Sequence, residues 1–258
     1  MRGPDELRAL VEEYVGELAL SPELRGQQAS VRYALVGGKR VRGVICLATA
    51  EAAGAEVDAA LPAAAALELV HAFSLVHDDL PALDDDAERR GRPSVWAEYG
   101  EAVAVLAGDA LLAEAFRLAL GYPTTAVARE LAEATLGMIG GQYLDITGVE
   151  VDLAALHRLK TGRLLAASVG LALWVADVAE AEQGPWRAFS EELGLLFQVV
   201  DDVLDRDGYA VTLGEAGARA LAAESAERAR ERLDVLNVLD VDTSVLAEIV
   251  DGLVVRTA

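Results

Sequence analysis

Apolar side chains recur every three or four positions through most of the chain, the spacing that gathers them on one face of an α-helix. Strand-like alternation is nearly missing, and so are Asn-Gly hairpin signals. The periodicity predicts helices over about 5–19, 27–35, 38–53, 60–77, 95–120, 125–146, 152–160, 162–180, 185–205 and 215–237, with a short last one near 242–255. Breakers fall between them: Gly54, Pro81, Gly91-Arg92-Pro93, Gly121-Tyr122-Pro123, Gly148, Gly184-Pro185 and Gly208. Segments 60–77 and 162–180 are apolar nearly all round, so they belong inside. The expected fold class is all-α, a bundle large enough to hold a deep central cavity. One internal echo stands out: an apolar helix ends in Asp-Asp at 78–79 and again at 201–202. Two similar helices facing each other across a site would give this pattern.

Composition narrows the picture. The chain has 258 residues and no Gly-Pro-rich linker, which predicts a single domain over 1–258. A net charge of −21 disfavours nucleic acid and anionic membranes as partners. A polyanionic substrate would need basic residues focused at one place, or metal ions. Cys46 is the only cysteine, so no internal disulfide forms. The N-terminal stretch MRGPDELRALVEE lacks an apolar signal region. The longest uncharged apolar stretch, 164–176, is too short for a membrane span. These features predict a cytoplasmic protein.

The chemistry is concentrated in three segments. DDLPALDDDAERRG, residues 78–91, packs five aspartates into nine positions: Asp78, Asp79, Asp84, Asp85 and Asp86. Crowded carboxylates raise one another's pKa, a cost that a hard divalent cation such as Mg²⁺ relieves. Arg89 and Arg90 follow, and guanidiniums suit phosphate oxygens. The competing reading is a solvated acidic loop. FQVVDDVLD, residues 197–205, weakens that reading. Gln198, Asp201, Asp202 and Asp205 are spaced to form one polar stripe on an otherwise apolar helix. GGKRVRG, residues 37–43, sets Lys39 and Arg42 on one helix face behind two glycines, a place for an anion, though a basic helix start is usually plain surface. His71 lies two turns before Asp78 on the same face. Lys160-Thr161 opens another apolar helix, and Lys39 and Lys160 are the only lysines.

Taken in order, GGKRVRG, HAFSLVHDDLPALDDDAERRG, LAGDALLAEAF, GMIGGQYLDI, KTGRLLAASVG and FQVVDDVLD resemble the trans-isoprenyl diphosphate synthases of the polyprenyl synthetase family. The resemblance implies an isoprenoid synthase-type bundle, a homodimer, and two or three Mg²⁺ per site. It implies that Asp78, Asp79, Asp84, Asp201, Asp202 and Asp205 hold Mg²⁺ on an allylic diphosphate. Arg89, Lys160, Thr161 and Gln198 match positions that grip or shield that group. Lys39, Arg42, His71 and Arg90 match the site for isopentenyl diphosphate. The product would be set by the cavity floor. Phe73 and Ser74 stand five and four residues before Asp78, and an aromatic at the first position resembles the farnesyl (C15) pattern, with geranylgeranyl (C20) as second choice.

The match breaks after the second motif. Glu215 stands where the family has a lysine, and a Gly-Lys segment is missing from TLGEAGARALAAESAERARERL, residues 212–233. Trp96 replaces a small or polar residue, and the N-terminal part looks short by about one helix. Two rival readings follow. One is a catalytically weak or silent subunit that binds prenyl diphosphates. The other is a terpene cyclase, which would not need GGKRVRG and would carry a different second metal motif.

Overall fold

The structure is a computed structural model that describes residues 1–149 and 151–255. Helix α1 (Pro4–Glu17) is followed by a 3-10 turn (Pro22–Gln27), α2 (Gln28–Leu35), α3 (Val41–Ala52) and α4 (Val57–Asp78). A two-residue hairpin, β1 (Glu88–Arg89) with β2 (Arg92–Pro93), leads into α5 (Val95–Tyr99), α6 (Glu101–Ala119) and α7 (Ala126–Thr147). Then come α8 (Leu153–His157), a π turn (Arg158–Gly162), α9 (Arg163–Val175), a 3-10 turn (Glu180–Glu182), α10 (Gly184–Asp205), α11 (Gly208–Asn237) and α12 (Ser244–Val255).

Three predicted boundaries move, each for a backbone reason. Gly37, Gly38 and Arg40 all have positive φ, so α3 starts at Val41 and GGK is a loop against its first turn. Gly100, with φ +85°, cuts the predicted 95–120 helix into α5 and α6. The helix predicted from 215 begins at Gly208, with a kink at Gly214 (φ +73°). In addition, the predicted 162–180 helix stops at Val175.

α9 lies at the centre, packed against α3, α4, α7 and α10. α4 packs on α3, α6 and α9, and α10 is paired along its length with α11. The two segments predicted to be interior are interior: Leu67, Leu69, Val70, Leu164, Leu165, Val169 and Leu171 are all shut from solvent. Each such side chain stabilises the fold by roughly 1.5–3 kcal/mol. A continuous set of buried residues runs from Leu7 to Leu253. α4, not 164–176, is the one described helix long and apolar enough to cross a membrane, and most of its length is buried inside the bundle, as a core helix would be. On α6 and α7 the opposite holds: Leu106, Leu136, Ile139, Tyr143 and Ile146 stand exposed.

Candidate active site

α4 delivers the first aspartates. Its last carbonyls lack partners within the helix, and the loop that follows supplies them. Asp84 N donates to Asp78 O (2.9 Å), Asp85 N to Leu80 O (3.1 Å) and Asp86 N to Asp79 O (3.1 Å). The loop therefore folds back over the helix end, with Asp84, Asp85 and Asp86 exposed. Asp79 is buried, and Arg89 Nε donates to its Oδ1 at 2.9 Å while Nη2 bridges to Asp86 at 3.2 Å. Asp78 is half-buried. Burial pushes its carboxyl up to about 6, with Asp84 and Asp79 adding to the rise and Lys160 and Arg89 opposing it. An acid in this state gains from a nearby cation.

A basic wall stands beside these aspartates. Arg42 is only 8% exposed, lies over the Phe197 ring at 5.8 Å, and leaves its Nε without a partner. Burial lowers its pKa, and Glu68 and Asp201 resist that change. Glu68 is itself buried in α4. It accepts from Gly43 N at 2.9 Å and lies 3.7 Å from Arg40, fixing the first turn of α3. Arg90 donates to Gly37 O at 2.9 Å and lies against Gly38, whose Cβ would sit 2.9 Å from the guanidinium. That contact, together with φ +110°, is why glycine is needed there. His71 is held neutral, its pKa well below the ordinary value. Burial is the main cause, reinforced by Arg42, Arg90, Arg40 and Arg89. Lys39 is exposed at the rim.

The π turn positions Lys160. Gly141 of α7 packs so tightly on it that a Cβ would lie 2.5 Å from Lys160 N. Lys160 ion-pairs with Asp145 and also lies near enough to Asp78 to lower its pKa. Thr161 is half-buried beside it. Gln142, next to Gly141, has both amide atoms buried and unpaired. Phe73 is buried, with its ring edge-on to His77 (4.9 Å between centroids). Ser74 is half-buried, and its hydroxyl donates back to His71 O at 2.9 Å.

The predicted stripe on α10 divides. Asp201 is half-buried and acts on Arg42, and Asp205 is exposed at the helix end. Asp202 is buried instead and turns to the protein, accepting from Gln198 Nε2 (2.5 Å) and Tyr209 N (2.8 Å). Adjacent residues point about 100° apart on a helix, so one stripe could not hold both Asp201 and Asp202. Gln198 likewise donates to Asp202.

The two aspartate clusters are nevertheless joined by charge. Asp201 acts on Arg42, Arg42 acts on His71, and His71 also feels Arg89, which binds Asp79. Among the described residues, no three His, Cys, Asp or Glu side chains form a metal cage of their own. The donors that fit a hard cation are the half-buried or exposed carboxylates Asp78, Asp84, Asp201 and Asp205, of which Asp78 carries the strained charge. Asp79 and Asp202 are buried against Arg89 and against Gln198 and Tyr209, and fit less well.

The family signature described as Polyprenyl synthetase matches residues 26–219. This chain belongs to the polyprenyl synthetase family. It is 40% identical over 214 residues to a geranylgeranyl diphosphate synthase of Cyanophora paradoxa, covering 76% of this chain and 71% of that relative. It is 41% identical over 236 residues to the heterodimeric geranylgeranyl pyrophosphate synthase large subunit 1 of Arabidopsis thaliana, covering 81% of this chain and 64% of that one. The alignments thus span about two thirds of these relatives' length. A solved geranyltransferase from Legionella pneumophila superposes with a TM-score of 0.85 at 29% identity, over 98% of this chain and 96% of that one. The isoprenoid synthase helical fold is therefore shown.

Several residues of this polyprenyl synthetase site did not stand out in the sequence. Glu68, Arg40 and His157 lie outside the aspartate motifs. Gln142 and Asp145 sit inside GMIGGQYLDI, and only the unpaired amide and the ion pair single them out. A groove of about 970 Å³ runs between α7, α9 and α10, with Arg129, Glu130, Arg163 and Arg187 among its lining. Of the predicted residues only Gln198 lines it, and with His157 and Tyr209 it borders Asp202.

Proposed function

We propose that this chain condenses isopentenyl diphosphate with an allylic diphosphate to give a C15 prenyl diphosphate, with C20 as the second choice. The observation that carries the reading is buried Arg42 of α3, which lies near Asp201 of α10 and near His71 of α4, with the Arg89–Asp79 pair of the following hairpin and helix end close by.

In this reading Arg42, Arg90 and Lys39 hold the diphosphate of isopentenyl diphosphate. His71, kept neutral, contributes a hydrogen bond without adding charge. Arg89 and Lys160 face the allylic diphosphate, and Thr161 lies beside them. Lys160 leaves Asp145 to do so. Asp78, Asp84, Asp201 and Asp205 would hold Mg²⁺, which when bound would neutralise charge on the leaving diphosphate. Arg89 and Lys160 stabilise the same oxygens as the carbon–oxygen bond breaks. The double bond of isopentenyl diphosphate attacks the allylic cation, and the proton then lost goes to the departing diphosphate. The apolar interior below Asp78 keeps water from quenching the cation. Phe73 forms the floor.

The exposed aliphatic face of α6 and α7 supports a homodimer. We place the protein in the cytoplasm as a single domain, on its acidity and lone buried cysteine.

The test is incubation with isopentenyl diphosphate plus dimethylallyl, geranyl or farnesyl diphosphate and Mg²⁺, followed by product sizing. Elongated products bear the proposal out. Diphosphate release without elongation points to a cyclase. Binding without turnover points to a silent subunit, the reading favoured by the shortened segment after Asp205.

A further inference from the structure

Only Arg206 and Asp207 join α10 to α11. A connection that short leaves α11 without a cap of its own: Asp207 occupies the N-cap position and makes no side-chain cap bond. The first N–H groups of a helix still require acceptors. The carboxylate of the preceding helix supplies one, because Tyr209 N donates to Asp202 Oδ2 at 2.8 Å. Asp202 Oδ1 accepts from Gln198 Nε2 at 2.5 Å. The backbone carbonyl of Asp202 closes the turn, accepting from Asp207 N at 3.1 Å. From a third direction comes His157, the last residue of α8. Its Nδ1 lies 3.6 Å from Asp202 Oδ2, and its ring meets Tyr209 edge-on at 5.2 Å. Asp202 is 3% exposed. Gly208 passes so close that a Cβ would lie 2.2 Å from Oδ2.

We infer that Asp202 is a positioning residue that clips α8, α10 and α11 together, leaving Asp201 and Asp205 as the metal-facing carboxylates of the second motif. Both of its oxygens have protein donors, and solvent is shut out. Opening toward an ion would uncap α11. The clip also ties the end of α8, which leads directly into the Lys160 turn, to the helix that carries Asp201. It thereby fixes the spacing of a cation and a carboxylate meant for one diphosphate. The clip stands on geometry alone, and only the division of metal duty rests on the prenyl-transfer reading.

Arg206 offers a direct probe, being an exposed trypsin site inside the turn. Three variants, Asp202→Ala, Asp202→Asn and Asp201→Asn, would be compared with the parent. The readouts are cleavage after Arg206 followed by mass spectrometry, kcat and KM for the allylic substrate, and the Mg²⁺ concentration that half-saturates the thermal shift given by an unreactive allylic thiolodiphosphate. Loss of a cap should speed Arg206 cleavage about fivefold to tenfold in Asp202→Ala. Asp202→Asn should restore it to near the parent rate, because Asn still accepts from Tyr209 N and Gln198 can turn its amide. The same rescue should appear in the allylic KM. The Mg²⁺ half-point should stay near that of the parent in Asp202→Asn and rise about tenfold or more in Asp201→Asn. Unchanged Arg206 cleavage in Asp202→Ala overturns the clip. An Mg²⁺ half-point in Asp202→Asn raised as far as in Asp201→Asn makes Asp202 a ligand and overturns the division of duty. A parent with no Mg²⁺-dependent shift sinks the prenyl-transfer reading instead, while the cleavage arm still decides the clip.

Discussion

Burial first, and then the charges of Arg42, Arg90, Arg40 and Arg89, keep His71 neutral. The consequence for stability has a definite sign. In the unfolded chain His71 takes a proton as pH falls through its ordinary value of 6.5, whereas in the fold it does so only at much lower pH. Unfolding therefore takes up a proton in that window, and stability drops as pH falls below 6.5. The parent is expected to lose more thermal stability than His71→Gln between pH 7 and pH 5, with matched melting curves as the check. Asp201→Ala should lower kcat/KM by about 100-fold or more, because it removes charge handling at the leaving group. Its melting temperature should move by no more than about 2 °C, since Asp201 is half-buried and lines the site. A collapse in stability would put Asp201 in the core. Phe73→Ala should lengthen the product by at least one isoprene unit, read by chromatography. An unchanged product would remove Phe73 as the floor.

Between Arg158 and Gly162 the chain winds into a π turn, and Lys160 owes its place to that extra residue per turn. Gly141 makes the turn possible by letting α7 approach within contact of the Lys160 backbone. Backbone atoms cannot swing aside as a side chain can, so Gly141→Ala should push the turn outward. We expect a melting temperature lower by about 2–10 °C from overpacking. We also expect a kcat/KM lower by about 10–100-fold from the displaced lysine. A variant with parent kinetics would mean that Lys160 tolerates the shift. Sequence periodicity located α7 and α9 but gave no sign of the π turn, because its apolar spacing differs from that of a helix by one residue. The break near Gly208 was legible, but the restart of α11 at that residue instead of at 215 was not, for a related reason. Its cap comes from Asp202, six residues before the helix it serves, where no local capping pattern applies.

Across the whole molecule, two faces take opposite treatment. α9 buries most of its side chains against four neighbouring helices, while α6 and α7 hold Leu106, Ile139 and Ile146 to solvent, with Leu136 69% exposed. A soluble chain seldom leaves such a stripe bare. Leu136→Glu combined with Ile139→Glu should convert a dimer to a monomer in sedimentation velocity. A parent that sediments as a monomer would refute the dimer.

The sequence alone determined the all-α fold, the interior helices and the two aspartate clusters. Apolar periodicity is a local property, and so many carboxylates near arginines announce their chemistry without coordinates. Tertiary structure decided which carboxylates are buried against protein donors. Asp78 and Asp79 are neighbours in the chain, as are Asp201 and Asp202, yet Asp79 and Asp202 are the buried members, held by Arg89 and by Gln198 and Tyr209. That choice depends on where Arg89, Gln198 and Tyr209 arrive. It is fixed by packing and the demand that every buried charge find a partner, which no spacing rule along one helix can express.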